Sequence, residues 1–263
     1  MRRRELLAGS AALALIGSAR AQVQDLNDAI NKAGRQRMLS QRCAKAYFAL
    51  GMELPDTSAR PVLDASLALF DRQLVELKAF APTPAIKATY QDLEAVWSDY
   101  KTVLVGAKPA RERVSALIEL DGRVLALAHK GTVQYEQASG KSVGKLVNVA
   151  GRQRMLSQRC AKFYLALAWN GAVPDAKVEL DKARGEFVAA HRVLFDAPEA
   201  TPSIRAELDL AQNQWVFFEN ALQQGNAAGQ GPRRGSEVFR ASENVLQVMD
   251  RVTGMYARLS VSA

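Results

Sequence analysis

Residues 33–45 read AGRQRMLSQRCAK, and residues 150–162 read AGRQRMLSQRCAK again, 117 positions later. Thirteen identical residues in a row are beyond chance. The sequence around them agrees between the copies only in pattern. Two copies of one unit have therefore diverged around a segment that stayed fixed, and the period sets the architecture at two similar units, each long enough to bury its own core.

Outward from the first copy, a helical pattern starts at Val23 and ends near Gly51 and Pro55. Leu63, Leu67, Phe70, Leu74 and Leu77 then recur at alternating spacings of four and three, which predicts an amphipathic helix with a bundle seam. Pro82 and Pro84 break the chain. Ile86, Tyr90, Leu93, Trp97, Tyr100 and Leu104 repeat the spacing, and Val114, Leu117, Asp121, Val124 and Ala128 begin a fourth helix reaching about Tyr135. The second half repeats the order. A motif helix spans 142–171, a second spans 178–195, and a third carries Trp215 where the first half has Trp97. A loop is expected over 225–235, before a last helix from Val238. Val124-Leu125 and Tyr135 of the fourth helix match Val245-Leu246 and Tyr256 of the last. No period-two strand pattern occurs. The expected fold is all-α: two tandem antiparallel four-helix bundles in pseudo-twofold relation, residues 22–138 and 139–263. Residues 137–144 (QASGKSVG) are either a hinge or a weak spot in one long helix.

Residues 1–21 read as an export signal. Arg2, Arg3 and Arg4 form a charged start, residues 6–17 an apolar run too short to span a bilayer, and Ala19-Arg20-Ala21 a small-x-small cleavage site. Arg3-Arg4-Glu5-Leu6-Leu7 resembles a twin-arginine signal, with an ordinary secretory signal as the alternative. Both imply a periplasmic protein cleaved near Ala21. No later apolar run approaches membrane-spanning length. The formal charge of +8 falls to +5 once the four arginines and one glutamate of this segment are removed, which is no nucleic-acid signature.

On a helical wheel at about 100° per residue, Arg37, Met38, Gln41 and Lys45 fall within about 60° of Gly34. Leu39, Cys43, Ala46 and Leu50 form the opposite, apolar face. A glycine on a helix face admits another backbone, and an arginine beside it offers a planar fork of donors suited to small oxyanions. Should the two motif helices meet at this face, Arg37 and Arg154 confront each other, and two desolvated guanidinium groups repel unless an anion lies between them. A planar anion such as nitrate matches both forks. The ligand-binding candidates are Arg37, Arg154, Gly34, Gly151, Met38, Met155, Gln41 and Gln158. The bland alternative is a solvated polar face, with the glycines easing helix packing.

The stretches NKAGRQRMLSQRCAK and NVAGRQRMLSQRCAK (residues 31–45 and 148–162) resemble the P-box of the nitrate/nitrite sensor kinases NarX and NarQ. They resemble still more the N-terminal ligand-binding domain of the pilus chemotaxis transducer PilJ. In the nitrate sensors the domain is a dimerising four-helix bundle in which one arginine from each subunit binds a shared nitrate, helped by backbone near the glycine. The resemblance carries these roles to Arg37 and Arg154, with Gly34 and Gly151. The Arg-Gln between Gly and Arg and the Leu-Ser-Gln-Arg after Met depart from the nitrate sensors toward PilJ, so the anion class carries over better than nitrate itself. The resemblance implies a small-anion sensor in the periplasm that passes its state to a membrane-bound sensor or transducer, for this sequence shows no kinase or methyl-accepting region. A homodimer is possible. The alternative function is a ligand-free docking or accessory module for a membrane sensor or respiratory system.

Cys43 and Cys160 occupy equivalent positions pointing away from the arginine face and are expected as buried thiols rather than a disulfide. His129 and His191, the only histidines, have no cysteine or carboxylate at ligand spacing. No metal, haem, phosphate-loop or nucleophile motif is present, so neither a cofactor nor an enzyme activity is expected.

Overall fold

The computed structural model describes residues 22–170, 173–224 and 231–259. The expected export signal lies outside them. The described residues form eight α-helices: α1 Leu26–Gly51, α2 Ala59–Phe80, α3 Pro84–Val105, α4 Val114–Ser139, α5 Ser142–Asn170, α6 Ala176–Phe195, α7 Pro202–Gln224 and α8 Gly231–Ala257. No strand occurs among them.

Local signals set the ends. The Asp25 carboxylate accepts from Asp28 N–H at 2.8 Å, and Thr83 caps α3 ahead of Pro84 in the first turn. Gly140 adopts φ +61°, the left-handed cap that stops α4. The junction is thus a break between two helices and not one long helix. One boundary differs from expectation. The segment read as a loop to residue 235 is helical from Gly231, because Pro232 suits a first helical turn and Gly235 lets α8 pack beneath Leu54.

Each half is a four-helix bundle built alike. In the first, α1 packs on α2 and α4, and α3 lies against α4. In the second, α5 packs on α6 and α8, and α7 lies against α8. Paired features repeat across the halves. Phe70 stacks on Trp97 at 3.6 Å and Phe187 on Trp215 at 3.8 Å. The Tyr135 hydroxyl donates to Leu77 O, and that of Tyr256 to Leu194 O, each at 2.7 Å.

The two halves share one long contact, α1 along α5, which is more extensive than any other helix pair. It encloses both motif helices. Arg37, Ser40, Gln41 and Lys45 are buried, as are Arg154, Ser157, Gln158 and Lys162. The polar face of each motif is therefore interior, which removes the solvated-face reading. Cys43 and Cys160 are free and buried on the other side, and burial pushes both thiols up.

The helices cross where Gly34 faces Gly151. A side chain added at Gly34 would lie 3.7 Å from the Gly151 Cα and 3.2 Å from an Arg37 nitrogen. An Ala at Gly34 gains about 1 kcal/mol of helix propensity and need only displace a guanidinium end, so Gly34→Ala should change stability by less than about 1 kcal/mol. Gly34→Leu forces the backbones apart and should cost about 1–3 kcal/mol in urea denaturation.

Candidate functional site

The crossing places both motif arginines together. The ideal Cβ position of Gly34 lies 3.2 Å from an Arg37 Nη2 and 3.5 Å from that of Arg154, and the Gly151 position gives 3.3 and 3.4 Å in the reverse order. Each guanidinium reaches across the pseudo-twofold axis. Arg37 Nη2 donates to Asn148 O at 3.2 Å, and Arg154 Nη2 to Asn31 O at 3.0 Å. Both side chains are almost wholly buried, at 1% and 0% exposure, and both Nε atoms are buried without a partner. The expected meeting of Gly34, Gly151, Arg37 and Arg154 is present, and the protein's own carbonyls use one arm of each fork.

The remaining arms break the symmetry. Arg154 Nη1 donates to Asp250 Oδ1 at 2.5 Å, and Arg35 Nη2 donates to the same oxygen at 2.9 Å. The matching tyrosines Tyr135 and Tyr256 set α4 and α8 in register, so that His129 on α4 stands where Asp250 stands on α8. Arg37 Nη1 accordingly meets His129 Nδ1 at 3.3 Å, and among the described residues no carboxylate lies within ion-pair distance of Arg37. Burial, then the charges of Arg152 and Arg154, pull Arg37 down to about 9. Arg154 is drawn by burial to about 10, with Asp250 opposing. Partial burial works to raise the Asp250 carboxyl, but Arg154 and Arg35 hold it well below the usual range. His129 is lowered by burial and then by Arg37 and Arg152, so it meets Arg37 as a neutral acceptor.

About two turns further on, a lysine layer is paired in both halves, with acids one position apart in register. Lys162 Nζ reaches Asp121 Oδ2 at 2.5 Å, and Lys45 Nζ reaches Glu243 Oε1 at 2.6 Å. In register, Asp121 answers to Ser242 and Glu243 to Gly122. Burial pulls both lysines down to about 8 against these partners. Burial raises Glu243, but Lys45 and Arg42 override it and hold the carboxyl at about 2.

The other candidates divide. Met38 and Met155 line two equivalent grooves flanking the crossing. Gln41 and Gln158 are drawn away: Gln41 Nε2 donates to Asp121 Oδ1 at 2.6 Å and Gln158 Nε2 to Ser242 O at 2.9 Å. They fasten α1 to α4 and α5 to α8. Gln36 and Gln153 do the same toward α2 and α6, through Phe70 O and Phe187 O. Part of the motif's fixed identity is thus structural. Sequence reasoning missed His129, Asp250, Asp121 and Glu243. The signal was available in the tyrosine register of α4 and α8, but these positions differ between the copies and identity had been the guide. Among the described residues no cluster of three or more His, Cys, Asp or Glu could hold a metal, and no helix is long and apolar enough to cross a membrane.

The family described as PilJ, Type IV pili methyl-accepting chemotaxis transducer N-term, matches residues 9–130 and again 136–237. The first match begins within the stretch read as an export signal. No curated protein and no solved structure matches the chain. The match confirms the PilJ half of the sequence resemblance, and the nitrate-sensor half rests on the motif alone.

Two outcomes test the buried charges. Asp121→Ala strands Lys162 without a partner, and should destabilise the fold by about 3–5 kcal/mol in chemical denaturation. For Glu243→Gln the sign follows from a folded value of about 2 against the ordinary 4.5. The carboxylate's stabilisation is complete above about 4.5 and lost as pH falls through about 2. Glu243→Gln should therefore melt well below wild type at pH 7, and the gap should close between pH 4.5 and 2.

Proposed function

The chain belongs to the PilJ family of chemotaxis-transducer N-terminal domains, present here twice in tandem, and on that premise we propose that it is a sensor for a small anion recognised at the crossing of the two motif helices. The family is one of sensory, signal-transducing domains and not of enzymes, and such domains are typically periplasmic. The finer reading concerns the ligand. Arg37 takes it, with Arg154 and the glycine pair shaping the crossing and Met155 lining its approach.

The observation that carries this is the isolation of Arg37. A buried guanidinium without a counter-ion is costly, since its charge has lost water and gained nothing of opposite sign. Its twin shows what satisfies it: a planar oxyanion group accepting from two arginines, as Asp250 does from Arg154 and Arg35. Nitrate and nitrite are the first candidates, being planar and small, and the sequence motif resembles that of the nitrate sensors.

The relay follows from where Arg37 sits. It touches α5 through Asn148 and α4 through His129, so the arrival of an anion alters the balance among three helices at the contact between halves. A ligand shifts a conformational equilibrium only by its difference in affinity for the two states. That difference is supplied by neutralising Arg37. The partner that reads the change is a membrane-bound transducer.

Thermal unfolding of the chain from Gln22, with nitrate, nitrite, chloride and sulfate at matched ionic strength, tests the reading. A bound anion stabilises by RT ln(1 + [L]/Kd), roughly 2.7 kcal/mol at 100 times Kd. A rise selective for nitrate or nitrite and lost in Arg37→Met is expected. Equal responses to all four anions would overturn it.

A further inference from the structure

The two grooves that flank the crossing are equivalent in construction and opposite in filling. One lies between α1, α2 and α8 and is lined by Arg35, Met38, Arg42, Glu243 and Asp250. Its arginines are occupied from within: Arg35 by Asp250 and Arg42 by Glu243. The other lies between α4, α5 and α6, with Arg37 at its base, and encloses about 310 Å³. There Arg152, Met155 and Arg159 stand where Arg35, Met38 and Arg42 stand in the first. The two acids, however, are replaced by His129 and Gly122. A Cβ at Gly122 would meet nothing within 4 Å, so this wall is open where Glu243 closes the other.

The acids of the second groove come instead from the opposite wall. Glu186 takes Arg152 at 2.6 Å and Glu179 takes Arg159 at 2.6 Å. They compensate the rim and leave the base uncompensated. Arg37, nine-tenths buried and more, keeps a free Nε and offers Nη1 to a neutral histidine only. Beside it are the apolar surfaces of Met155, Leu125 and Ala183.

We propose that this groove is the binding site of a small organic carboxylate, whose carboxyl group takes at Arg37, Arg152 and His129 the place that the Asp250 carboxylate takes at Arg154 and Arg35. The inference rests on the anion reading above and narrows it: the planar oxyanion is the end of a molecule, and the rest lies along Met155 toward Lys182. The volume of about 310 Å³ admits a small organic molecule, but the acid-lined groove holds about 390 Å³, so the uncompensated base and not the space singles this groove out. Asp250 is the internal pattern for the ligand's head, and Leu69, which stands where Glu186 stands in the second groove, shows that the filled groove needs no acid from its far wall.

The test installs the pattern. His129→Asp should supply Arg37 with the carboxylate that Arg154 already has. Acetate and butyrate, titrated at constant ionic strength, should raise the melting temperature of wild type saturably, butyrate more than acetate. His129→Asp should melt above wild type without ligand and lose the response, its affinity falling about 10- to 100-fold, the worth of one charge-assisted pair. His129→Asn, which adds no charge, should not raise the melting temperature of the ligand-free protein. Carboxylate binding unchanged in His129→Asp, or a melting temperature of that variant below wild type, overturns the proposal. A nitrate response that depends on Arg37, with no carboxylate response, overturns the carboxylate inference alone and leaves the anion reading in place. No response to either class overturns both.

Discussion

Everything in this molecule is arranged about two arginines that the fold forces into one place. The glycine pair lets α1 and α5 approach until Gly34 and Gly151 are in contact range, and the arginine one turn on from each glycine then has nowhere to go but the crossing. Like charges at such separation in a dry interior repel by several kcal/mol unless something of opposite sign or polarity answers them. The protein answers with backbone. The carbonyls of Asn31 and Asn148 each accept from the arginine of the opposite half, which ties the bundles together through the groups that push them apart. The remaining compensation comes from the fourth helix of each half.

That fourth helix is where duplication has been put to use. Two identical halves would give two identical arginine environments, both satisfied or both open. Here α8 carries Glu243 and Asp250, and α4 carries Gly122 and His129 in the same register. The cost of Arg154 is met inside the chain, and the cost of Arg37 is not. The lysine layer about two turns away behaves differently: Asp121 and Glu243 sit one position apart in register, yet each closes on its lysine, so both Lys162 and Lys45 are paired. Of the two layers, only the arginine layer leaves a cation without a carboxylate partner among the described residues.

The helical periods and the seam residues were legible in the sequence because leucine, tryptophan and tyrosine spacing reports burial directly. The fixed segment was legible as special, and its glycine and arginine, one turn apart on the same face, made a meeting of the two helices one of two readings; the burial of that face decides between them. The early start of α8 was not, because Gly231, Pro232 and Gly235 read as breakers until Leu54 is seen covering Gly235. Nor were Gln41 and Gln158 placed correctly. A wheel assigns them to the arginine face, but that face is shared between several neighbouring helices, and these two point to α4 and α8. Identity between the copies marked what the halves have in common. The partners that distinguish them lie at positions where the copies differ, and His129 stood there as an isolated histidine with no ligand spacing to recommend it.

An unanswered buried charge is a cost to the fold that selection for stability alone would remove, by a single change of His129 to an acid or of Arg37 to an apolar residue. Functional sites are where such costs persist. The proposed ligand removes the cost when it arrives, so its binding energy is spent at the contact between the halves and not in a remote pocket. Arg37 touches α5 through Asn148 and α4 through His129, and the open groove lies between those two helices and α6, so the cost and its relief fall on the same set of contacts.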